Sequence, residues 1–118
     1  MPHIKLEYTE NVHWKNLMHD IFPKLQTVLI QHARVSPKNC KSRAIELKNY
    51  YCTGNSHSGG FIHLEISLLS GRTKEVKTKI GKECHRIIQS FIEDMSEIQV
   101  SIELRDIDQA SYFTSNQL

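Results

Sequence analysis

The pattern of apolar and polar positions predicts four β-strands. Residues 2–8, 61–69 and 98–105 alternate, and residues 42–52 contain β-branched and aromatic side chains. Alternation with a period of two is typical of strands with one buried face. A first strand at residues 2–8 would hold the amino terminus in place. Residues 53–60 are rich in Gly, Ser and Asn, which predicts a short loop and an antiparallel pairing of the second and third strands.

Apolar residues recur every three or four positions between residues 14 and 29, which predicts a first amphipathic helix. Pro23 interrupts this stripe. A proline is favoured at the first helical position and disrupts a helix interior, so the main helix is expected to start near Pro23, with Asp20 or a neighbour capping the preceding turn. A kinked continuous helix is the alternative. The helix is expected to end before residues 36–37, Ser-Pro.

A second apolar stripe between residues 76 and 95 predicts a second helix, with Thr73 as its N-cap. The element order is then β-α-β-β-α-β. This order predicts one α+β domain over residues 1–118, with a four-stranded mixed sheet and two helices on one face. The other face would meet water or lie between subunits, because its residues are mixed: His3, Lys5, Glu7, Phe61, His63 and Glu65.

Composition narrows the class of protein. The chain has 118 residues, of which 39% are hydrophobic and 24% charged, as in ordinary soluble domains. The net charge is +2, from 15 Lys and Arg against 13 Asp and Glu, which argues against binding to nucleic acid. No apolar run approaches the roughly 18–20 residues that span a bilayer, and no signal peptide is visible. We therefore expect a cytoplasmic protein without a membrane partner.

The cysteines and histidines do not form a recognisable metal or disulfide pattern. Cys40, Cys52 and Cys84 are odd in number and lack CxxC spacing. His57 and His63 flank the predicted loop, but no HxxxH arrangement occurs. We therefore expect reduced thiols and no bound metal.

Pro2 is the first candidate for chemistry. Removal of Met1 would leave Pro2 with a free secondary amine, which is a base or nucleophile when it is neutral. An α-amino group normally titrates at about 7.7–8.0, and partial burial and nearby cations both lower its pKa. A Met-Pro start is common and by itself indicates nothing. Here, however, Pro2 opens a predicted strand and would be held rigidly.

Three cations stand at the ends of predicted elements: Lys41 and Arg43 at the start of the second strand, and Arg72 before the second helix. Arg presents a planar fork that matches a carboxylate. A base together with carboxylate-binding cations suits proton transfer next to a carbonyl of an anionic substrate. Taken singly, each cation is better interpreted as a solvated surface charge.

The sequence resembles the tautomerase superfamily, and most closely the 5-carboxymethyl-2-hydroxymuconate isomerases. The similar segments are MPHIKLEYTENV at residues 1–12, KSR at 41–43, FIHL at 61–64, SGR at 70–72 and SYFTSN at 111–116. These motifs are short, and their joint order and spacing carry the resemblance, which covers nearly the whole chain. Lys41 stands at the first position of the family's Arg-x-Arg stretch, where it supplies a point charge without a bidentate fork.

The resemblance implies a cofactor-free isomerase. Pro2 would act as general base and move a proton in an unsaturated keto or enol acid similar to 5-carboxymethyl-2-hydroxymuconate, an intermediate of aromatic catabolism. Arg72, Lys41 and Arg43 would bind the substrate carboxylates. It also implies a homotrimer. Two alternatives remain open: a related tautomerase or hydratase with another substrate, and a non-catalytic oligomeric module that binds a ligand or a protein.

Overall fold

The computed structural model describes residues 2–52 and 59–118. Met1 and most of the predicted loop, including His57, lie outside these residues. The element order is the predicted β-α-β-β-α-β, with these bounds: β1 His3–Thr9, α1 Ile21–Ala33, β2 Lys41–Leu47, β3 Gly60–Leu69, α2 Lys74–Phe91 and β4 Ile98–Ile107. The predicted α+β fold is therefore confirmed.

The strands form one mixed sheet in the order β2-β1-β3-β4. β1 pairs in parallel with β2 and antiparallel with β3, and β3 pairs in parallel with β4. The expected antiparallel pairing of the second and third strands is therefore wrong, because β1 lies between them. Each helix is instead the crossover of a parallel β-α-β unit, the connection that parallel strands require.

In the first half the predicted end of the second strand is wrong, whereas the expected start of the first helix near Pro23 is confirmed. β2 ends at Leu47 and does not continue to residue 52, because its partner β1 ends at Thr9, opposite Leu47. Trp14 is not helical and forms an isolated bridge with Ile92. The helix begins at Ile21 after a short 3₁₀ turn, so Pro23 lies in the first turn, where its missing N–H would have had no helical partner.

The caps differ in how they are built. Asp20 occupies the N-cap position of α1, but its side chain makes no capping hydrogen bond. The backbone N–H of Val76 donates to the Thr73 hydroxyl over 3.2 Å, which confirms Thr73 as the N-cap of α2. This helix ends at Phe91, so the last part of the predicted stripe, up to Met95, lies beyond it.

The hydrophobic core lies between the sheet and the two helices. Its fully buried side chains alternate along β1 and β3 and recur with helical spacing along α1 and α2: Ile4, Leu6, Ile62, Leu64, Ile66, Ile21, Leu25, Leu29, Ile80, Cys84 and Ile88. Burial raises the pKa of the Cys84 thiol to about 12, so this cysteine is an unreactive core residue. The opposite face is half-buried along the central strands β1 and β3 and exposed along the edge strands β2 and β4. On it Glu65 lies between Lys5 at 3.7 Å and Arg105 at 3.3 Å.

A buried polar network closes the end of β1. The Thr9 hydroxyl donates to Asn11 Oδ1 over 2.6 Å and accepts from the backbone N–H of Phe61 over 3.1 Å. The Asn11 amide nitrogen donates to the carbonyl of Gly59 over 2.9 Å. These bonds join the end of β1 to the start of β3, and they leave no room for a side chain at Gly60.

We expect Gly60→Ala to lower the free energy of unfolding by about 1–3 kcal/mol, because an added Cβ overpacks a filled site. That Cβ would lie 2.5 Å from both Asn11 Oδ1 and Thr9 Oγ1. The matched control is Gly81→Ala within α2, where a Cβ would meet nothing within 4 Å and should stabilise the helix by roughly 1 kcal/mol. Urea unfolding measures both; equal effects of the two substitutions would contradict the prediction.

Candidate active site

The segments that carry the predicted site residues meet at one end of the sheet. His3 is paired with Lys41 of the parallel strand β2 and with Ser67 of the antiparallel strand β3. The start of β1, the start of β2 and the end of β3 are therefore neighbours. The backbone N–H of Lys41 donates to the carbonyl of Pro2 over 3.0 Å, which fixes Pro2 at this end.

A cavity of about 290 Å³ opens beside Pro2. Pro2 itself is buried and belongs to its wall. The remaining wall comes from the segment after α1, the end of β3 and the turn before α2: Arg34, Val35, Ser36, Asn39, Leu68, Leu69 and Arg72. The cavity wall therefore combines two arginines with apolar residues, which suits a small organic anion.

Arg72 is held in place by two backbone carbonyls. Its Nη1 donates to the carbonyl of Leu69 over 2.9 Å, and its Nη2 donates to the carbonyl of Ala33 over 2.8 Å. The side chain is half-buried and ties the end of β3 to the end of α1. The sequence predicted Arg72 as a site residue, and the structure brings it to the same cavity as Pro2.

Arg34 is a cavity residue that the sequence analysis missed. It follows the last residue of α1 and has left-handed backbone angles, φ 56° and ψ 40°. Within residues 2–52 and 59–118, no hydrogen bond or ion pair engages its exposed guanidinium. Glycine is the usual residue in this conformation after a helix, so nothing in the local sequence indicated it. Its nearness to Pro2 depends on how α1 packs on the sheet.

Lys41 and Arg43 lie on the other face of the sheet. Their register with His3 and Lys5 places them on the face away from the helices. Lys41 Nζ donates to the carbonyl of Lys38 over 3.2 Å, and neither predicted cation is among the described residues that line the cavity. Their role as substrate-binding residues therefore stays a prediction.

His3 joins the outer sheet face to the carboxyl-terminal segment. Arg43 Nη1 donates to His3 Nδ1 over 3.3 Å, and His3 Nε2 lies 2.9 Å from the Tyr112 hydroxyl. Because Nδ1 accepts, the ring proton lies on Nε2 and is donated to Tyr112. Burial, together with the charges of Arg43 and Lys41, lowers the pKa of His3. The neutral imidazole is thus the form that fits these contacts.

The stability of the protein should depend on pH through His3. Because folding lowers the pKa of His3, the unfolded chain binds the additional proton more readily. The contribution of the neutral His3 ring to stability is fully present above the pKa of histidine in the unfolded chain, about 6.5. It is lost as the pH falls through the lower pKa of His3 in the folded protein. We expect the melting temperature to fall more steeply below pH 6.5 in the wild type than in His3→Asn; parallel curves would contradict this assignment.

Neither a cluster of metal-ligating side chains nor a membrane-spanning helix occurs in the described part of the chain. In residues 2–52 and 59–118 no group of three or more His, Cys, Asp or Glu side chains is placed to hold a metal ion. Among the described helices, none is long and apolar enough to cross a membrane.

A family model and several solved structures are similar to this chain. The family model of 5-carboxymethyl-2-hydroxymuconate isomerase matches residues 2–118. A 5-carboxymethyl-2-hydroxymuconate isomerase from Deinococcus radiodurans R1 has a similar structure, with a TM-score of 0.80 and 24% identity over 97% of this chain and 88% of that chain. Among curated proteins, no match to the chain was found.

Two further solved structures share the fold at lower identity. A fused 4-OT, described as a symmetric trimer, has a TM-score of 0.77 and 15% identity over 98% of this chain and 94% of that chain. Pt0534, solved after inactivation by 2-oxo-3-pentynoate, has a TM-score of 0.73 and 14% identity over 98% of this chain and 94% of that chain. Since the family model spans all but the first residue, the chain belongs to the 5-carboxymethyl-2-hydroxymuconate isomerase family.

Proposed function

We propose that the protein is a cofactor-free keto–enol isomerase in which the amine of Pro2, freed by removal of Met1, is the general base. Family membership supports an isomerase of the tautomerase superfamily. The observation that carries the finer proposal is the shared cavity, because Arg72 and the buried Pro2, which becomes amino-terminal once Met1 is removed, line the same space. A base beside a carboxylate-binding cation is what proton transfer in an anionic acid requires.

The proposed reaction moves one proton within the substrate. The neutral amine of Pro2 takes the proton of a dienol hydroxyl and delivers it to a distant carbon, so that the enol becomes a ketone. The guanidinium of Arg72 binds a carboxylate and draws negative charge toward itself as it develops on the oxygen. Positive charge in the cavity disfavours the protonated amine, so we expect the pKa of Pro2 to lie below the usual value of about 7.7–8.0.

The proposed substrate is a small unsaturated keto or enol acid with two or three carboxylates, similar to 5-carboxymethyl-2-hydroxymuconate. Such a molecule has an apolar unsaturated chain that can lie along Leu68 and Leu69, which line the cavity. Its carboxylates need cations, and Arg72 supplies one. No metal or organic cofactor takes part in this proposal.

The proposal includes a homotrimer. The fused 4-OT with the same fold is described as a symmetric trimer. The outer sheet face of this chain carries partly buried ion pairs, such as Lys5 with Glu65 at 3.7 Å, so part of the charge that a second copy would cover is already paired. In a trimer, Lys41 and Arg43 would act at the site only across a boundary between copies.

Mass spectrometry combined with covalent labelling tests the proposed base. The untagged protein should lack Met1, and 2-oxo-3-pentynoate, the compound named for Pt0534, should add once at the nitrogen of Pro2. A neutral amine adds to the activated triple bond, so the whole reagent is retained. The matched control is a sample that keeps an amino-terminal tag, in which this nitrogen is an amide. Retention of Met1, or equal labelling of the tagged sample, would refute the proposal.

A further inference from the structure

We infer that Arg34 is the residue that selects for a second carboxylate on the substrate, and that Arg72 positions it. This inference rests on the proposed function and adds to it the residue that recognises a second carboxylate of the substrate. Four observations support it: the backbone conformation of Arg34, the lack of hydrogen bonds from its guanidinium to described residues, the hydrogen bonds of Arg72, and the composition of the cavity wall.

The backbone conformation of Arg34 is unfavourable for its residue type. Its φ of 56° lies in the left-handed region. Among the non-glycine residues in the ranges 2–52 and 59–118, Arg34 alone has a positive φ. A side chain at Cβ is strained in this region, which is why glycine or asparagine commonly follows a helix. An arginine has no local reason to stand here. Strained residues cluster at functional sites, where the side chain itself is needed.

Arg34 and Arg72 differ in the hydrogen bonding of their guanidinium groups. Arg72 already donates to the carbonyls of Leu69 and Ala33, at 2.9 and 2.8 Å. Arg34 has no hydrogen bond or ion pair to any described residue, although it lines the same cavity as Pro2. The whole fork of Arg34 is therefore free to bind a carboxylate in a bidentate manner. Arg72 can bind a carboxylate only with the N–H groups that do not already donate to these carbonyls.

Arg72 also determines where Arg34 lies. The carbonyl that accepts its Nη2 belongs to Ala33, the residue immediately before Arg34. The same guanidinium also donates to the carbonyl of Leu69, so it holds the end of α1 against the end of β3. Arg72 thus acts on Arg34 as a positioning residue, in addition to its proposed contact with the substrate.

The cavity wall indicates what lies between the charges. Val35, Leu68 and Leu69 supply apolar surface to the wall that they share with Pro2 and the two arginines. A ligand with carboxylates at its ends and an unsaturated hydrocarbon chain between them matches this arrangement. A monocarboxylate would fill the apolar part but would leave one guanidinium without a partner.

The test uses Arg34→Gly, because this substitution separates conformation from chemistry. Glycine adopts the left-handed region without strain, so we expect the melting temperature to stay unchanged or to rise. We also expect KM for a dicarboxylate enol acid to rise about 10- to 100-fold, the effect of losing a hydrogen-bonded charge, with little change in kcat. KM for a monocarboxylate substrate such as enolised phenylpyruvate should change much less.

Two variants act as controls. Arg34→Lys keeps the charge and loses the fork, and it should recover only part of the affinity for the dicarboxylate. Arg86→Gln removes one positive charge from the exposed face of α2, where Arg86 pairs with Glu83, and it should leave both KM values unchanged. Unchanged KM for the dicarboxylate in Arg34→Gly, or an equal rise with Arg86→Gln, would overturn the inference.

Calorimetric titration with adipate, a dicarboxylate that cannot isomerise, separates this inference from the proposed function. Loss of turnover in Pro2→Ala with wild-type adipate affinity, together with affinity at least about 10-fold weaker in Arg34→Gly, would support both the proposed base and Arg34. A wild type that shows no turnover but binds adipate, about 10-fold or more weakly in Arg34→Gly, would refute the isomerase and support Arg34. No binding of adipate to the wild type would overturn the inference.

Discussion

Pro2→Ala is expected to lower kcat/KM for an enolised keto acid by about 100-fold or more, the contribution of a positioned general base. Alanine keeps an amino-terminal amine, but this amine is primary and lacks the ring that holds the nitrogen of Pro2 in one orientation. The substitution should spare the fold, because the hydrogen bond at this residue uses the carbonyl of Pro2, which accepts from the backbone N–H of Lys41 at 3.0 Å. Steady-state kinetics measures the effect.

The pH profile of the wild type provides a second readout of the same base. Only the neutral amine can accept a proton, so kcat/KM should rise with pH and reach a plateau above the pKa of Pro2. We expect the midpoint below the usual α-amino value of about 7.7–8.0, because Arg34 and Arg72 line the cavity beside Pro2. The melting temperature of Pro2→Ala is the control for folding. Turnover that is indifferent to this substitution would exclude Pro2 as the base.

Arg72→Ala is expected to impair stability and activity together. It removes charge-assisted hydrogen bonds to the carbonyls of Leu69 and Ala33, so the free energy of unfolding should fall by about 2–4 kcal/mol. It also removes a donor at the place where negative charge develops, so kcat/KM should fall by roughly 100-fold. Urea unfolding and kinetics on the same preparation measure the two effects.

Arg72→Lys is the matched variant, since it keeps the charge but cannot donate to both carbonyls in the fork geometry of arginine. We expect its stability to be close to that of Arg72→Ala and its activity to be intermediate. If Arg72→Lys matched the wild type in both measurements, the two hydrogen bonds would have no part in holding the site. If Arg72→Ala lost stability alone, Arg72 would be structural and not a substrate-binding residue.

The element order could be predicted because each element carries its own periodicity. Ile4 and Leu6 alternate with polar residues, and Ile80, Cys84 and Ile88 recur at helical spacing, and all five are buried. The pairing of strands could not be predicted in this way. The loop between the second and third strands indicated a hairpin, yet β1 inserts between them, since strand pairing depends on contacts distant in sequence.

The candidate site was predicted in part, and the limit again lies in tertiary contacts. Pro2 was conspicuous from its position in the chain, and Arg72 stood out in the Ser-Gly-Arg turn. Lys41 and Arg43 were grouped with them by their place at the start of the second strand and by resemblance, but their register with β1 puts them on the outer face. Arg34 was missed because no motif in the sequence distinguishes it from other charged residues near a helix end. Only the packing of α1 brings it to the cavity.

The sequence by itself therefore determined the order of the secondary-structure elements and the fold class, and it singled out Pro2 as the candidate base, because periodicity and chain position can be read without tertiary contacts. Only the tertiary structure decided the place of β1 in the sheet, the face on which Lys41 and Arg43 lie, and the convergence of Arg34 and Arg72 beside Pro2. Each of these depends on register and packing between segments far apart along the chain, which local patterns do not encode.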